Sequence, residues 1–238
     1  MKVYESQYDF ERWYNQVKEL SIESQVIQIT KEQAEGMIYR GTINDKVLYE
    51  TIEKAISELG GSVFAKFRRS PKDYATQSLS DENPMKIQAV RQLLTLVSHS
   101  ERLVEDLNYP NPLILRKWER DIGIEFRCFI CNQQLNAVSL QPNQSEQIDK
   151  DRGVISEYFN SQEIIEIFKE KIGKVLYPHC VVDVGLMMSG DGIKMKIIEI
   201  NPFGKMAQSG YFSWVIDRDI LFEGFAKTGK VCLRFQRE

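Results

Sequence analysis

Two apolar runs, CVVDVGLMM from Cys180 and IKMKIIEIN from Ile193, flank the polar stretch Ser189-Gly190-Asp191-Gly192. Glycine on both sides of an aspartate, between runs rich in β-branched residues, is a hairpin signal. A hairpin turning about Asp191 places Asp183 opposite Glu199. Residues two apart in a strand share a face, so Asp183, Glu199 and Asn201 are expected on one face. Val182, Val184, Ile198 and Ile200 are then expected to turn the other way, into a core. The opposed Cβ atoms would lie about 5 Å apart, where two like charges destabilise a sheet unless a cation neutralises them. The three side chains offer oxygen, a set that suits Mg²⁺ rather than zinc, and Mg²⁺ commonly completes its shell with water and substrate phosphates. Either this face holds a cation beside a phosphate-bearing ligand, or it is a solvated polar face.

Cationic partners for such a ligand stand elsewhere in the chain. Lys66 interrupts the apolar strand pattern SVFAKF, where an ammonium needs an anion or a route to water. The loop that follows, RRSPKD, concentrates Arg68, Arg69, Ser70 and Lys72, all able to grip phosphate oxygens. In EFRCF, Arg127 shares a strand face with Glu125 and opposes Phe126 and Cys128. Basic groups in one half and carboxylates in the other fit a cleft holding Mg²⁺ and a polyphosphate.

The remaining pattern mixes helices and strands without strict alternation, which predicts an α+β fold. Helical spacing is expected over 9–20, 48–61, 85–106 and 161–174, and strands over 24–30, 62–67 and 113–118. IEFRCFIC and QLNAVSLQ read as a second hairpin. Two lobes are expected, 1–112 carrying Lys66 and the RSPKD loop, and 113–238 carrying the carboxylates. The polar segment Pro142 to Arg152 is either a lid or a plain loop. With 238 residues the chain can bury a substantial core, and its net charge of −3 gives no general basic field for nucleic acid. No apolar run is long enough to span a bilayer. Four cysteines are too few for a disulfide scaffold at this length, and CxxC within the strand FRCFIC has no second ligand pair. Reduced core cysteines in a cytoplasmic protein follow. His99 and His179 stand apart from these motifs, and Phe10, Trp13 and Tyr14 form a helical stripe suited to core packing.

These residues carry a resemblance. A strand lysine, a polar strand end (LILRKW), the strand start GIEFRCF and a final D…ExN look like an ATP-grasp fold. FERWY with ESQVIQI, LGGSVFAKFRRSPKDYA, LILRKW with GIEFRCFICNQQLNAVS, and CVVDVG with IIEINPFG and YFSW resemble, in order, the cell division cycle protein 123 family, a divergent ATP-grasp family. The resemblance implies ATP between two lobes, with Lys66, Ser70, Lys72 and Arg127 at the phosphates, Arg69 beside them in the same basic loop. Arg116, Lys117 and Trp118 would form the hinge near adenine, Glu125 would reach the ribose, and Asp183, Glu199 and Asn201 would hold Mg²⁺. Family members act in the cytoplasm as assembly chaperones for translation initiation factor 2, which implies a protein client. The chain departs from the family in carrying Glu199 where aspartate is usual, and VSLQPNQ in place of an arginine- and aspartate-bearing segment. A second reading is an ATP-dependent ligase, joining a carboxylate to an amine or acting on RNA, in which Lys66 and Arg127 stabilise the transferring phosphoryl group.

Overall fold

The computed structural model describes residues 7–75, 83–108, 112–119, 122–141, 161–172, 177–189 and 192–235. The segment Pro142 to Arg152, read above as lid or loop, and the hairpin apex at Gly190 and Asp191 lie outside them. The chain forms two compact units, Met1–Glu11 with Ile22–Glu119, and Arg12–Ser21 with Arg120–Glu238. The expected division after residue 112 therefore shifts. LILRKW is the middle strand of the first unit's sheet, and its pairing on both sides holds it there.

In the first unit a short helix α1 (Phe10–Tyr14), which runs on into the second unit, precedes strand β1 (Ser24–Ile27). Helices α2 (Lys31–Arg40) and α3 (Lys46–Glu58) follow. Strand β2 (Val63–Lys66) and a one-turn helix α4 (Lys72–Ala75) come next, then α5 (Val90–Ser98), α6 (Glu101–Val104) and strand β3 (Leu113–Lys117). The three strands pair antiparallel in the order β1-β3-β2. Thr30 and Gln33 form a reciprocal capping box at the start of α2, and Gly41, at φ 61°, closes its end. Asp45 caps α3 by accepting from the Val47 and Leu48 amides. One sheet face, with Ile27, Val63, Ala65, Leu113 and Leu115, packs with Met37, Ile52, Ile56, Leu93 and Val97 in one apolar core.

The helix expected over 85–106 is broken at His99. Asp73, distant in sequence, accepts the Ser100 hydroxyl at 2.7 Å and the Arg102 amide at 3.2 Å, which caps a new helical start. Burial pushes the Asp73 pKa up, but these bonds and the nearby Arg102 outweigh it and hold the carboxyl below its ordinary value.

The second unit is a five-stranded sheet in the order β7-β6-β4-β5-β8, antiparallel except for the parallel β5–β8 pair. Its strands are β4 (Ile122–Cys131), β5 (Gln134–Leu140), β6 (His179–Ser189), β7 (Gly192–Pro202) and β8 (Cys232–Arg234). Helices α7 (Ser161–Ile172) and α8 (Arg218–Thr228) complete it. Asn132 and Gln133, at φ 54° and 61°, supply the two left-handed residues of the tight turn joining β4 to β5. On one face Phe126 packs edge-on against Phe168 of α7 at 5.5 Å. On the other, Phe129, Ala137 and Val181 pack with Ala207, Phe212 and Leu221.

Asp183 pairs with Glu199 as expected. One residue further along, Val184 pairs with Ile197, so Ile198 is a bulge. Ile197, not Ile198, accompanies Ile200 into the core, and Ile198 is half-buried. The four cysteines are free. Among the described residues no helix is long and apolar enough to cross a membrane.

Candidate functional site

Cross-strand pairing lines up Glu199 on β7, Asp183 on β6, Arg127 on β4 and Ser139 on β5. Directly paired residues point to the same face, so these four form a polar row across the sheet. Glu125, two residues before Arg127, lies on the same face, and Asn201, two after Glu199, also joins it.

The centre of the row is a buried fork. Arg127 Nε donates to Asp183 Oδ1 and Nη2 donates to Oδ2, both at 2.8 Å, with both residues under 10% exposed. Gln141 Nε2 donates to Oδ1 at 3.0 Å and Asn201 Nδ2 to Oδ2 at 3.3 Å. A carboxylate has about four lone-pair sites, and all four of Asp183's are engaged. Arg127 also donates from Nη1 to the Gln208 carbonyl at 2.6 Å. Burial pulls the guanidinium's pKa down, but the bond to Asp183 and the charges of Asp183, Glu199 and Glu125 outweigh it and raise the pKa. On the opposite face, burial first, then the Asp183 charge, pushes the Cys128 thiol well above its ordinary value.

The chain after β7 closes this fork from above. Tyr211 N–H donates to Ser139 Oγ at 2.8 Å, Trp214 Nε1 donates to the Ala207 carbonyl at 2.7 Å, and Arg234 pairs with Asp217 at 2.8 Å. Gly210, at φ +61°, has to be glycine twice over, because a Cβ there would collide with Ser139 Oγ.

In the first unit, Lys66 and Arg116 share the sheet face opposite the apolar core, Lys66 paired with Ile114 and Arg116 with Phe64. Both are buried. Arg116 Nε donates to Ser24 Oγ at 3.3 Å, and its guanidinium lies 5.4 Å from the Phe10 ring centroid. Lys117, paired with Val63, points to the core side, where its Cε approaches Gly60. The expected hinge trio is thus divided by strand alternation. Trp118 is half-buried and its amide donates to the Ser62 carbonyl at 2.9 Å.

The basic loop is likewise divided. Arg69 Nε and backbone N–H both donate to Asp106 at 2.8 Å and Nη1 meets Glu105 at 3.0 Å, so two of its five side-chain donors are committed within the first unit. Ser70 is half-buried and Lys72 is exposed at the start of α4.

Whether this row suits a divalent cation follows from its donors. Glu199 and Asn201 present oxygen-bearing side chains on one face with Asp183 opposite, which is Mg²⁺-type chemistry. Among the described residues no group of three or more His, Cys, Asp or Glu is placed to hold a metal. The counter-charge that the opposed carboxylates demand is supplied at Asp183 by Arg127. A cation would therefore draw chiefly on Glu199 and the Asn201 carbonyl, and on Asp183 only by displacing the long Asn201 bond. The sequence reading missed Gln141 and the Gln208 carbonyl. Polar Ser139 and Gln141, two apart in the apolar QLNAVSLQ, were the available signal.

Comparison with known proteins bears on this geometry. Residues 44–220 match the D123 family model. A translation initiation factor eIF2 assembly protein of Xenopus tropicalis is 26% identical over 86% of this chain and 75% of its own length. The Danio rerio protein of that name is 29% identical over 68% of this chain but only 49% of its own. A putative CDC123-like protein of Acanthamoeba polyphaga mimivirus is 25% identical over 90% of this chain and 70% of its own. The chain spans about half the length of the Danio rerio protein and of several other curated relatives it matches. The structure of Cdc123 from Schizosaccharomyces pombe superposes with a TM-score of 0.74 at 22% identity, covering 98% of this chain and 96% of that one. The α+β class expected from the sequence, antiparallel sheets with flanking helices, is the fold this chain shares with that structure. With a family model covering most of its length and a shared fold from end to end, this chain belongs to the D123 family, the Cdc123 proteins.

Proposed function

We propose that this chain is a cytoplasmic Mg-ATP-binding protein that uses the nucleotide to shape a surface for a protein client of the translation-factor class. The observation that carries the reading is the row Glu199–Asp183–Arg127, two carboxylates and a guanidinium held in register beside Asn201. Mg²⁺ would supply counter-charge to the phosphates, held by Glu199 and Asn201 with Asp183. Arg127 has five N–H donors, three committed to Asp183 and Gln208, which leaves two for a phosphate oxygen without opening the fork. Lys66 and Arg116, sharing a face of the first unit's sheet, are proposed phosphate and base-side contacts. Lys72, Ser70, Trp118 and Glu125 are proposed as outer contacts, and Lys117 and Arg69 are assigned structural roles. The names of the Xenopus and Danio relatives support an eIF2-like client.

Titration calorimetry with ATP, with and without magnesium, tests the site. Glu199→Gln and Lys66→Met are each expected to weaken Mg-ATP binding about tenfold or more, the scale of one charge-assisted contact. Unchanged affinity in both variants rejects the site. Glu199, where the family usually has aspartate, keeps a second reading open, an ATP-dependent ligase. Steady ADP or AMP release with an amino-acid, peptide or RNA acceptor favours that reading, whereas retention of intact ATP favours the chaperone.

A further inference from the structure

Within the first unit, the ends of α2 and α5 and the start of α3 enclose an open cleft of about 490 Å³. Its lining includes Arg40, Arg91, Tyr49, Thr95, Ser98 and His99, with no acidic side chain among the residues that form it. The volume falls in the range of small-molecule sites.

The two guanidiniums stand out against their surroundings. On the same helices, surface lysines find helical partners, Lys31 with Glu35 at 3.8 Å, Lys46 with Glu50 at 3.4 Å and Lys54 with Glu58 at 3.6 Å. Arg40 and Arg91 make no ion pair among the described residues. Gly36 makes room for Arg40, since a Cβ there would sit 3.3 Å from Arg40 Nη2. Gly41 similarly lets the end of α2 approach Ser98, whose Oγ is 3.4 Å from where a Cβ would be.

A plainer reading is that each arginine answers the partial negative charge of a helix C-terminus. The hydrogen bonds weigh against it. The Gly36 and Met37 carbonyls already accept from the Thr42 and Gly41 amides, at 3.1 and 3.2 Å. The Thr95 carbonyl accepts the Ser98 hydroxyl at 3.2 Å and lies 2.7 Å from His99 Nδ1. With those carbonyls covered, the cleft is a positively charged hollow bordered by hydroxyls. Guanidinium forks are the chemistry that recognises a phosphate oxyanion.

We propose that this cleft is a binding site for a phosphate monoester, separate from the sheet-borne carboxylate row. It would be carried by Arg40 and Arg91, with the Tyr49 hydroxyl beside them, since the Ser98 and Thr95 hydroxyls already donate to the Thr95 and Arg91 carbonyls at 3.2 and 3.1 Å. The test is a titration of the ¹⁵N-labelled chain with inorganic phosphate and with a short phosphoserine peptide, following the Gly41, Thr42, Ser98 and His99 amides. Saturable shifts at these amides are expected, with a Kd on the order of 1 mM for inorganic phosphate. Arg40→Gln and Arg91→Gln should each weaken binding about tenfold, and Arg91→Lys, which keeps charge but loses the fork, by less. Thermal melts establish that each variant is folded. Tighter binding of the peptide than of phosphate assigns the source to a phosphorylated side chain, and equal or weaker binding to a free phosphorylated metabolite. Absence of saturable shifts at these amides, or midpoints in folded Arg40→Gln and Arg91→Gln equal to that of the unsubstituted chain, overturns the proposal.

Discussion

Removing the Asp183 carboxylate isolates a buried cation, and the structure sets the size of the effect. Asp183 is 5% and Arg127 8% exposed, and the carboxylate accepts four hydrogen bonds. Asp183→Ala leaves Arg127 Nε and Nη2 without their acceptor and a guanidinium charge in the protein interior. Breaking a buried pair from one side costs about 3–5 kcal/mol, a large part of the roughly 5–15 kcal/mol that holds a domain together. Asp183→Asn keeps one acceptor oxygen and loses the charge, so about 2–3 kcal/mol is expected. Replacing both partners, as in Arg127→Met with Asp183→Leu, removes the stranded charge and should cost less than Asp183→Ala alone. Urea unfolding followed by circular dichroism gives these values if the slope is unchanged, and the difference between the double variant and the summed singles gives the coupling. Since Arg127 also holds the Gln208 carbonyl, hydrogen exchange at Tyr211 N–H should quicken in Asp183→Ala. A loss below about 1 kcal/mol, the scale of exposed pairs, would mean that the fork is solvated and the reasoning wrong.

Gly185→Ala would bring a Cβ to 2.7 Å from Ile122 Cγ2, so a loss of about 1–3 kcal/mol is expected, relieved by Ile122→Ala and read from thermal melts. Burial raises the Cys180 thiol to about 12, whereas an unfolded thiol ionises near ~8.5. Above that lower value the unfolded state loses a proton that the folded state keeps, so stability falls as pH rises, by up to about 1.4 kcal/mol per unit until the folded value is reached. Cys180→Ala should flatten that part of the profile in urea unfolding between pH of about 8 and 10. Asp73→Ala should cost about 1–2 kcal/mol, because it strips the partner from Ser100, which is 2% exposed, and the loss should shrink as pH falls through the depressed Asp73 pKa.

The Asp183–Glu199 pairing was legible because strand alternation puts polar residues on one face whatever surrounds them. It was reached through a turn centred on Asp191, while the strands near the apex pair Ser189 with Gly192 and Val184 with Ile197, one step out of that register. The Ile198 bulge restores it, and nothing in IIEIN announces a bulge. The face of Arg127 was readable from EFRCF, but its partner was not, because β4 lies beside β6, more than 50 residues on, and that neighbour is chosen by the fold. The acidic partner of Arg69 was hidden for the same reason, since Asp106 is 37 residues away. Helix α2 escaped notice because its short apolar stripe, Ala34, Met37 and Ile38, is interrupted by Gly36, and the break at His99 depends on Asp73, which local periodicity does not contain.

The charge on the carboxylate face was expected to be balanced by a metal, and the guanidinium changes what a metal would have to do. Glu125, Asp183 and Glu199 share a sheet face with Arg127, and Lys196, paired opposite Gly185 on the neighbouring strand, donates its ammonium to the Ser21 carbonyl at 3.2 Å. The fork neutralises Asp183 locally, and Glu199 stands beside it on the neighbouring strand. A divalent cation seated at Glu199 would sit beside an immobilised positive charge, an unfavourable neighbour unless a polyanion lies over both. Metal without nucleotide should then bind weakly, nucleotide without metal should meet the charge of Glu199 beside Arg127's two remaining donors, and the two together should relieve each other's repulsion. Cooperative rather than independent binding of Mg²⁺ and ATP follows from where Arg127 is tied, because its bonds to Asp183 and Gln208 prevent it from withdrawing.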